Sequence, residues 1–559
     1  MPDSRANRRM SQERWRIKSV DQQLVKRLSA SAGISELMAR LLVLRGVKES
    51  FEVQIWLAPG ITQLHPAQFL PDFSVAAARI FRAIEKKEPI LVWGHDDLDG
   101  ITAAVILGRV LTGLQAGVGY HIPTRGKDKH GLDPEFLQRF RATSDPGLII
   151  TVDCGITNNR EIRELKELGK DVIVTDHHEV TLPLPPSVAN VDSKREDSDY
   201  PYAELTGAGV ALKLAMGLVE KRLGLSPAEL FSCQPDLLAL AALGTIADRA
   251  PLNGENRVLV ALGLRALKKT QLPALRAVLE ALSGPRIGDR EFSVSEFLNE
   301  LLPLFASASG VEAVHTFLSA DPSTARAWVK QLIKRREEWR AEAERTLSIA
   351  QNNVRLGDGI LFVQHPELSM RCLGFSAARL KDKYQLPAIV MGWRGDAWVG
   401  ECRGVEGVDL MQLLRALRNY FIDFGGHKKA AGFSILPDRV ADFIRAAERF
   451  AHDNFASRIV PEDPFFYDAF LPFKEFDPRV TALAPFGEGN PQPVFLSEPT
   501  ALVRTERGFS PQTRPDLILE PGRYGGQIEQ GVRYSLVYTV DDLGRLAILD
   551  LMPVLGNAE

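Results

Sequence analysis

The sequence predicts an α/β protein built on a parallel sheet, followed by a long connecting helix, a second and smaller α/β domain, and a small β domain. Three observations predict it. Short apolar runs alternate with helical spacing between residues 70 and 310. A charged run with no glycine and no internal proline fills residues 322–351. Past residue 460, proline and glycine punctuate brief strand-like runs. With 559 residues, 45% of them hydrophobic, the chain has material for three or four domains.

Residues 1–70 read as a helical leader. Its start, "MPDSRANRRMSQERW", is polar and basic, without the apolar centre of a signal peptide. In residues 71–315, "EPILVW" reads as a strand. "GITAAVILGRVLTGL" after it sets Ala103, Leu107, Val110, Leu111 and Leu114 on one helical face. "GLIITVD", "DVIVTD" and "DLLALAALGTIAD" read as further strands of a sheet with crossover helices. Residues 316–352 hold the connecting helix. Residues 353–457 carry "GILFV", "PAIVMGW", "AWVGECRG", a helix and "FGGHKKAAGFSI". In residues 458–559, "PVFL", "TALVRT", "DLILE", "RYSLVYTV" and "LAILDLM" suit a small β-barrel or sandwich.

The formal net charge is −3, which gives no global basic signature for nucleic acid and leaves a local basic groove open. The four cysteines lie far apart and form no CxxC pair, against a disulfide scaffold or zinc knuckle. The composition suits a reducing cytoplasm, and no apolar run is long enough to span a bilayer.

The chemistry is concentrated at strand ends. "VWGHDDLDGITAA" places His95, Asp96, Asp97 and Asp99 where a strand gives way to a helix. "LIITVDCGI" ends on Asp153, "VIVTDHHEV" on Asp176, His177 and His178, and "LGTIADRAPL" on Asp248. One aspartate after a strand is ordinarily a helix cap or turn residue. Four such ends meet along one edge of a parallel sheet, where ligands bind. Crowded carboxylates repel unless a cation sits among them. An Asp-rich set with histidine and no thiol suits Mn²⁺ or Mg²⁺ better than structural Zn²⁺. A bridging carboxylate allows two ions about 3.5–4 Å apart, a site that activates water and neutralises a phosphoryl group under attack.

These residues resemble the DHH phosphoesterase family, named for the triplet seen here as Asp176-His177-His178, and within it the RecJ branch. The resemblance runs from about residue 70 to the end, through "DDLDGITAA", "ITVDCGI", "VTDHHE", "LTGAGVALKLA", "LGTIADRAPLNGENR", "FGGHKKAAGFSI" and "PFGEGNPQPVF" in the family's order. It implies that residues 71–315 are the DHH domain, 353–457 the DHH-associated substrate-binding domain, and 458–559 an oligonucleotide-binding type of barrel. It implies two Mn²⁺ or Mg²⁺ ions, with Asp97 on the first, Asp99 on the second and Asp153 bridging. His177 and Asp248 complete the second, Asp176 orients His177, and His178 faces the substrate phosphate. Asp153, Asp176, His177 and His178 are thus the expected catalytic set. Arg125, Arg403, Gly425, Gly426 and His427 are expected against the nucleic-acid backbone. The implied activity is hydrolysis of single-stranded DNA from the 5′ end in repair and recombination. The implied partners are a single-strand-binding protein or a helicase.

The chain departs from the family in several places. "HDDLDG" has His95 where relatives carry an acid. His95 lies two residues before Asp97 and so faces the same side of an extended strand. Two roles stay open for it: a ligand of the first metal, favouring Mn²⁺, or a hydrogen-bond partner of Asp97. "PLFASASG" (Pro303 to Gly310) lacks the two arginines and the asparagine of the family pattern. Such arginines supply affinity for single strands, so a phosphodiesterase for short oligonucleotides or cyclic dinucleotides stays open, and the "HDDLDG" change leaves open a catalytically silent nucleic-acid-binding relative.

Overall fold

The structure, a computed structural model, describes residues 14–123, 131–136, 145–180, 182–283, 292–305, 310–426, 428–455, 465–522 and 528–554. The chain divides into two compact units, Met1–Leu332 with Phe466–Glu559, and Ile333–Phe465.

In the first unit, β1 (Ile90–Gly94), β2 (Val118–His121), β3 (Leu148–Val152), β4 (Asp171–Asp176) and β5 (Ala189–Asp192) form a parallel sheet in the order β2-β1-β3-β4-β5. Ile90 pairs with both Val118 and Leu148, and Leu148 with Asp171. β1 and β3 are buried along their whole length, as strands covered on both faces must be. The strand order reverses between β1 and β3. The carboxyl ends of those two strands therefore flank the crevice in which α/β sheets bind ligands.

The helix α1 (Leu98–Gly113) leaves β1 with Asp97 as its N-cap; the Asp97 carboxylate accepts the Gly100 N–H. It packs on β1, on α2 (Gly207–Leu223) and on α3 (Asp236–Ala247). Every residue from Leu98 to Leu111 except Arg109 is buried as a result. The single apolar face expected from spacing is too narrow, because two helices cover the side turned away from the sheet.

The run "DLLALAALGTIAD" is the helix α3, not the expected strand. A continuous apolar run has no periodicity that tells a buried helix from a buried strand. Its twelve residues and its Leu and Ala content suit a helix covered all round. The next helix, α4 (Gly254–Leu267), packs on α3. Residues Pro322–Asn352 form the single long helix α5.

In the second unit, β6 (Arg355–Gly357), β7 (Ile360–Gln364), β8 (Ala388–Trp393), β9 (Trp398–Arg403), β10 (Phe421–Gly426) and β11 (Ala430–Ile435) form one sheet. Its order is β10-β11-β9-β8-β7-β6, and only β7 and β8 run parallel.

The C-terminal strands belong to the first unit. They are β12 (Ala469–Phe470), β13 (Val494–Leu496), β14 (Thr500–Thr505), β15 (Gly508–Pro511), β16 (Leu519–Glu520), β17 (Arg533–Val540) and β18 (Leu546–Pro553). Their order is β12-β13-β17-β14-β15-β16-β18, and β17 pairs with β18 as well. Phe473, Phe495, Tyr538 and Ile548 from this sheet share one core with Val25, Leu28, Leu41 and Leu42 of the N-terminal helices. The N-terminal helices and the C-terminal strands, set apart in the sequence, thus share one core.

Candidate metal centre

Three strand ends and one helix end supply the cluster. His95 and Asp97 follow β1, and Asp99 lies in the first turn of α1. Asp153 follows β3; Asp176 closes β4, with His177 and His178 next. Asp248 caps the C-terminus of α3. The structure brings Asp248 near His177 and Asp99, from the end of a helix and not of the expected strand.

Two ligand sets share Asp153. On one side, His95 Nδ1 lies 2.9 Å from Asp97 Oδ2 and 3.7 Å from Asp153 Oδ2. On the other, His177 Nε2 lies 3.0 Å from Asp153 Oδ1 and 3.8 Å from Asp99 Oδ2, and His177 Nδ1 lies 4.0 Å from Asp248 Oδ2. His95, Asp97 and Asp153 each offer a donor atom within 4.8 Å of the others; so do Asp99, His177 and Asp248, and Asp153, His177 and His178. Asp153 holds a left-handed backbone, φ 59°, which costs a non-glycine residue of the order of 1 kcal/mol or more. Its N–H donates to Thr175 O of β4, which fixes that conformation.

The electrostatics ask for positive charge. Burial, then the charges of Asp99 and Asp97, push the Asp153 carboxyl well above its usual range. Burial, Asp248 and Asp97 raise Asp99 to about 7. Burial and Asp97 raise Asp248 to about 6. Burial works against ionisation of Asp97 too, but the hydrogen bond and charge of His95 and the Gly100 N–H together outweigh it and hold this carboxyl at about 2. Burial and the neighbouring His178 lower His177 to about 4, so its imidazole is neutral at pH 7, the form that binds metal. Asp153 Oδ1 and His177 Nε2 are both buried with no hydrogen-bond partner among the described residues. Unpartnered buried donors facing one another, amid carboxylates that destabilise one another, fit divalent cations. The Cys154 thiol is buried and directed at Trp93 O, so the donor set is oxygen and nitrogen only.

Asp176 plays a different part from the one expected. Its Oδ1 accepts from His178 Nδ1 at 2.7 Å and from the His177 N–H at 2.8 Å; Oδ2 accepts the Ile156 N–H. The carboxylate orients the His178 ring, and it holds His177 only through the backbone. The hydrogen bond to Asp176 raises His178 above the ordinary imidazole value, while half of that side chain stays exposed.

Several contributors escape the sequence reading. "LTGAGVALKLA" forms the start of α2, where the Gly207 and Ala208 N–H groups donate to Asp99 Oδ2 and Oδ1 at 2.7 and 3.0 Å. Gly207 also lets α2 approach Asp153: a Cβ there would lie 2.5 Å from Asp153 Cβ. Asp192 ends β5, paired in register with Asp176. It is fully buried, its Oδ2 has no partner, and burial raises it to about 7. The signal for it was "VANVD", a fourth strand end.

In the second unit, Arg403 ends β9 opposite Ala430, and Gly426 ends β10 opposite Ala431. Arg403, Gly425 and Gly426 therefore lie at one end of that sheet. Arg403 Nη1 donates to Glu401 Oε2 at 2.9 Å. Arg125 and His427 lie outside the described residues.

The family model for the DHH family, N-terminal domain, matches residues 89–245, and that for the DHHA1 domain matches residues 357–453. The single-stranded-DNA-specific exonuclease RecJ of Bacillus subtilis is 33% identical over 516 residues, covering 88% of this chain and 62% of the relative. The chain thus spans about three-fifths of that protein's length. The same-named protein of Dickeya dadantii is 30% identical over 74% of each chain. The crystal structure of RecJ in complex with Mn²⁺ from Thermus thermophilus superposes with a TM-score of 0.75 at 27% identity, covering 97% of this chain and 80% of that one.

Proposed function

This chain belongs to the DHH family, in its RecJ branch, and on that premise we propose that it is a two-metal exonuclease for single-stranded DNA, working from the 5′ end. One observation carries the reading: two ligand sets meet at one buried carboxylate, Asp153, whose oxygens lie toward His95 on one side and His177 on the other. His95, Asp97 and Asp153 would hold one Mn²⁺ or Mg²⁺ ion; Asp99, Asp153, His177 and Asp248 would hold the other. Bound there, the two ions lower the pKa of water and neutralise negative charge on the phosphate.

The chain's own groups do the rest. Asp153 keeps the two sets together. The α2 N-terminus fixes Asp99, and Asp176 fixes the His178 ring. His178, exposed and biased toward its protonated form, is placed to donate to a phosphate oxygen. Arg403, Gly425 and Gly426, with Arg125 and His427, would contact the strand's backbone. The closed circuit of pairings through β17, β14, β15, β16 and β18 supports an oligonucleotide-binding type of barrel at the C-terminus. Four unpaired cysteines suit a reducing cytoplasm.

The loss of both arginines from "PLFASASG" favours a second reading, a preference for short oligonucleotides. The test is Mn²⁺-dependent release of nucleotides from a 5′-labelled single strand, run beside a dinucleotide and beside Asp153→Ala. Faster cleavage of the long strand, abolished in Asp153→Ala, is expected. A folded, Mn²⁺-binding protein that cleaves only the dinucleotide would sink the long-strand reading.

A further inference from the structure

The motif "PFGEGNPQPVF" has no part in the chemistry above, yet it lies beside the loop that carries Asp248. Three other acids of the cluster are steered by hydrogen bonds to their carboxylates. Asp97 accepts the Gly100 N–H, Asp99 those of Gly207 and Ala208, and Asp176 those of Ile156 and His177. The Asp248 carboxylate accepts none among the described residues; His177 Nδ1 lies 4.0 Å from its Oδ2. Its direction therefore depends on where the backbone puts it.

That backbone is the Asp248–Leu252 segment. Asp248 closes α3, Arg249 takes a left-handed φ of 56°, and Ala250 and Pro251 lead to Leu252. The far side of this segment is the Pro485–Pro491 turn. The Leu252 N–H donates to Glu488 O at 2.7 Å. Gly489, at φ 68°, faces Pro251 so closely that a Cβ would lie 3.1 Å from Pro251 Cβ. A Cβ on Gly487 would lie 2.7 Å from Leu252 Cδ1.

The turn is itself rigid. Gly487 and Asn490 exchange backbone hydrogen bonds of 2.8 and 3.2 Å. Asn490 is fully buried, and its Nδ2 donates to Leu483 O and Pro485 O. Arg257, on α4, donates to Leu483 O and Ala484 O, and Asp542 accepts both the Phe486 and the Val294 N–H.

We propose that the Pro485–Pro491 turn is a positioning element for Asp248: it fixes the Asp248–Leu252 backbone and so aims the carboxylate that completes the second cation set. The inference rests on the reading of Asp248 as a cation ligand. It gives the C-terminal segment a role in metal binding that is separate from any contact with nucleic acid. The two glycines are needed because the turn has to touch Pro251 and Leu252 with its backbone.

The experiment is a Mn²⁺ titration of the full chain by calorimetry, with the spin-coupled signal of an ion pair followed by paramagnetic resonance. Wild type is expected to bind two ions, and Asp248→Ala to lose one. Gly489→Ala, shown folded by circular dichroism, is expected to weaken that same ion tenfold or more and to leave the other unchanged. Gly487→Ala meets only the end of a flexible leucine, so a smaller loss at the same ion is expected; it decides the matter should Gly489→Ala not fold. Wild-type affinity for both ions in folded glycine variants, with Asp248→Ala still losing one, overturns the positioning role alone. Two tightly bound ions in Asp248→Ala would remove the ligand reading, and this inference with it.

Discussion

Asp153 Oδ1 and His177 Nε2 stand 3.0 Å apart, both buried, with no hydrogen bond between them. A carboxylate and a neutral imidazole in that relation are two halves of a cation site, and without a cation each bears an uncompensated desolvation cost. Function and metal-free stability should therefore move in opposite directions at Asp153. Asp153→Asn keeps the shape and removes the charge. Nuclease activity should fall at least about a hundredfold, and the metal-free variant should be more stable than wild type by about 1–3 kcal/mol. Activity assays and denaturant unfolding in chelator check both halves; a destabilised Asn variant would refute the second.

His95 is hydrogen-bonded to Asp97 at 2.9 Å and also belongs to the first ligand set. As a ligand it should make the site prefer Mn²⁺, because imidazole suits Mn²⁺ better than Mg²⁺. His95→Asp restores the acid found in the family pattern. The ratio of Mn²⁺ to Mg²⁺ affinity, measured by titration, should then fall. His95→Ala should weaken the first ion by about ten- to a hundredfold, as loss of a partner at a metal site does. An unchanged ratio in His95→Asp would mean that His95 acts only on Asp97.

Much of this site was readable from the sequence, for a definite reason. Asp97, Asp153, Asp176 and His177 follow apolar strands, and the chain rule for parallel sheets gathers such ends on one edge. Asp248 was found through its motif although its element was mistaken, since an apolar run without periodicity hides a helix. Asp192 was missed because a strand of four residues gives little pattern. What holds Asp99, the Gly207 and Ala208 N–H groups, lies 108 and 109 residues away along the chain. Contacts of that separation come from packing, and no local pattern encodes them. The same holds for the core shared by the N-terminal helices and the C-terminal sheet.

Cation binding should compete with protons. Asp99 and Asp248, raised to about 7 and about 6, sit above their unfolded values near 3.8. In the metal-free fold these groups favour the protonated form, so their ionisation lowers stability as pH rises through that window. His95 and His178, raised by hydrogen bonds to Asp97 and Asp176, act in the same direction; His177, lowered to about 4, opposes them as pH falls below its unfolded value. Asp153 and Asp192, also raised by burial, add to these, so the raised groups outweigh His177. Metal-free protein should melt higher at pH 6 than at pH 8, whereas Mn²⁺ affinity should fall about tenfold or more between pH 7.5 and 5.5 as protons displace the ion. Scanning calorimetry in chelator and titration in buffer series measure the two trends.

Gly207 offers a test by a single methyl group. A Cβ would lie 2.5 Å from Asp153 Cβ and 2.8 Å from Asp153 Oδ1, so the start of α2 or the Asp153 backbone has to shift and carry the carboxylate with it. Gly207→Ala should keep the fold, because α2 accepts alanine readily. Affinity for both ions should drop, since Asp153 serves both sets. Loss of one ion only would show that Asp153 does not bridge.

Asp192 separates stability from metal chemistry. It is fully buried at the end of β5; Oδ1 accepts the Lys194 N–H, and Oδ2 has no partner. Burial, the largest cause, raises it to about 7 against an unfolded value of 3.8. The folded state therefore binds this proton more tightly than the unfolded chain does. Its contribution to stability is most favourable at low pH and is lost as pH rises from about 4 to about 7. Above pH 7 the fold carries a buried, half-satisfied carboxylate. Asp192→Asn keeps an acceptor for Lys194 and removes the charge. The variant should gain stability over wild type at pH 8, and the gain should shrink at pH 6, where wild type is largely protonated. Unfolding at the two pH values in chelator measures the difference. A gain of equal size at both would show that the Asp192 charge is compensated in the fold.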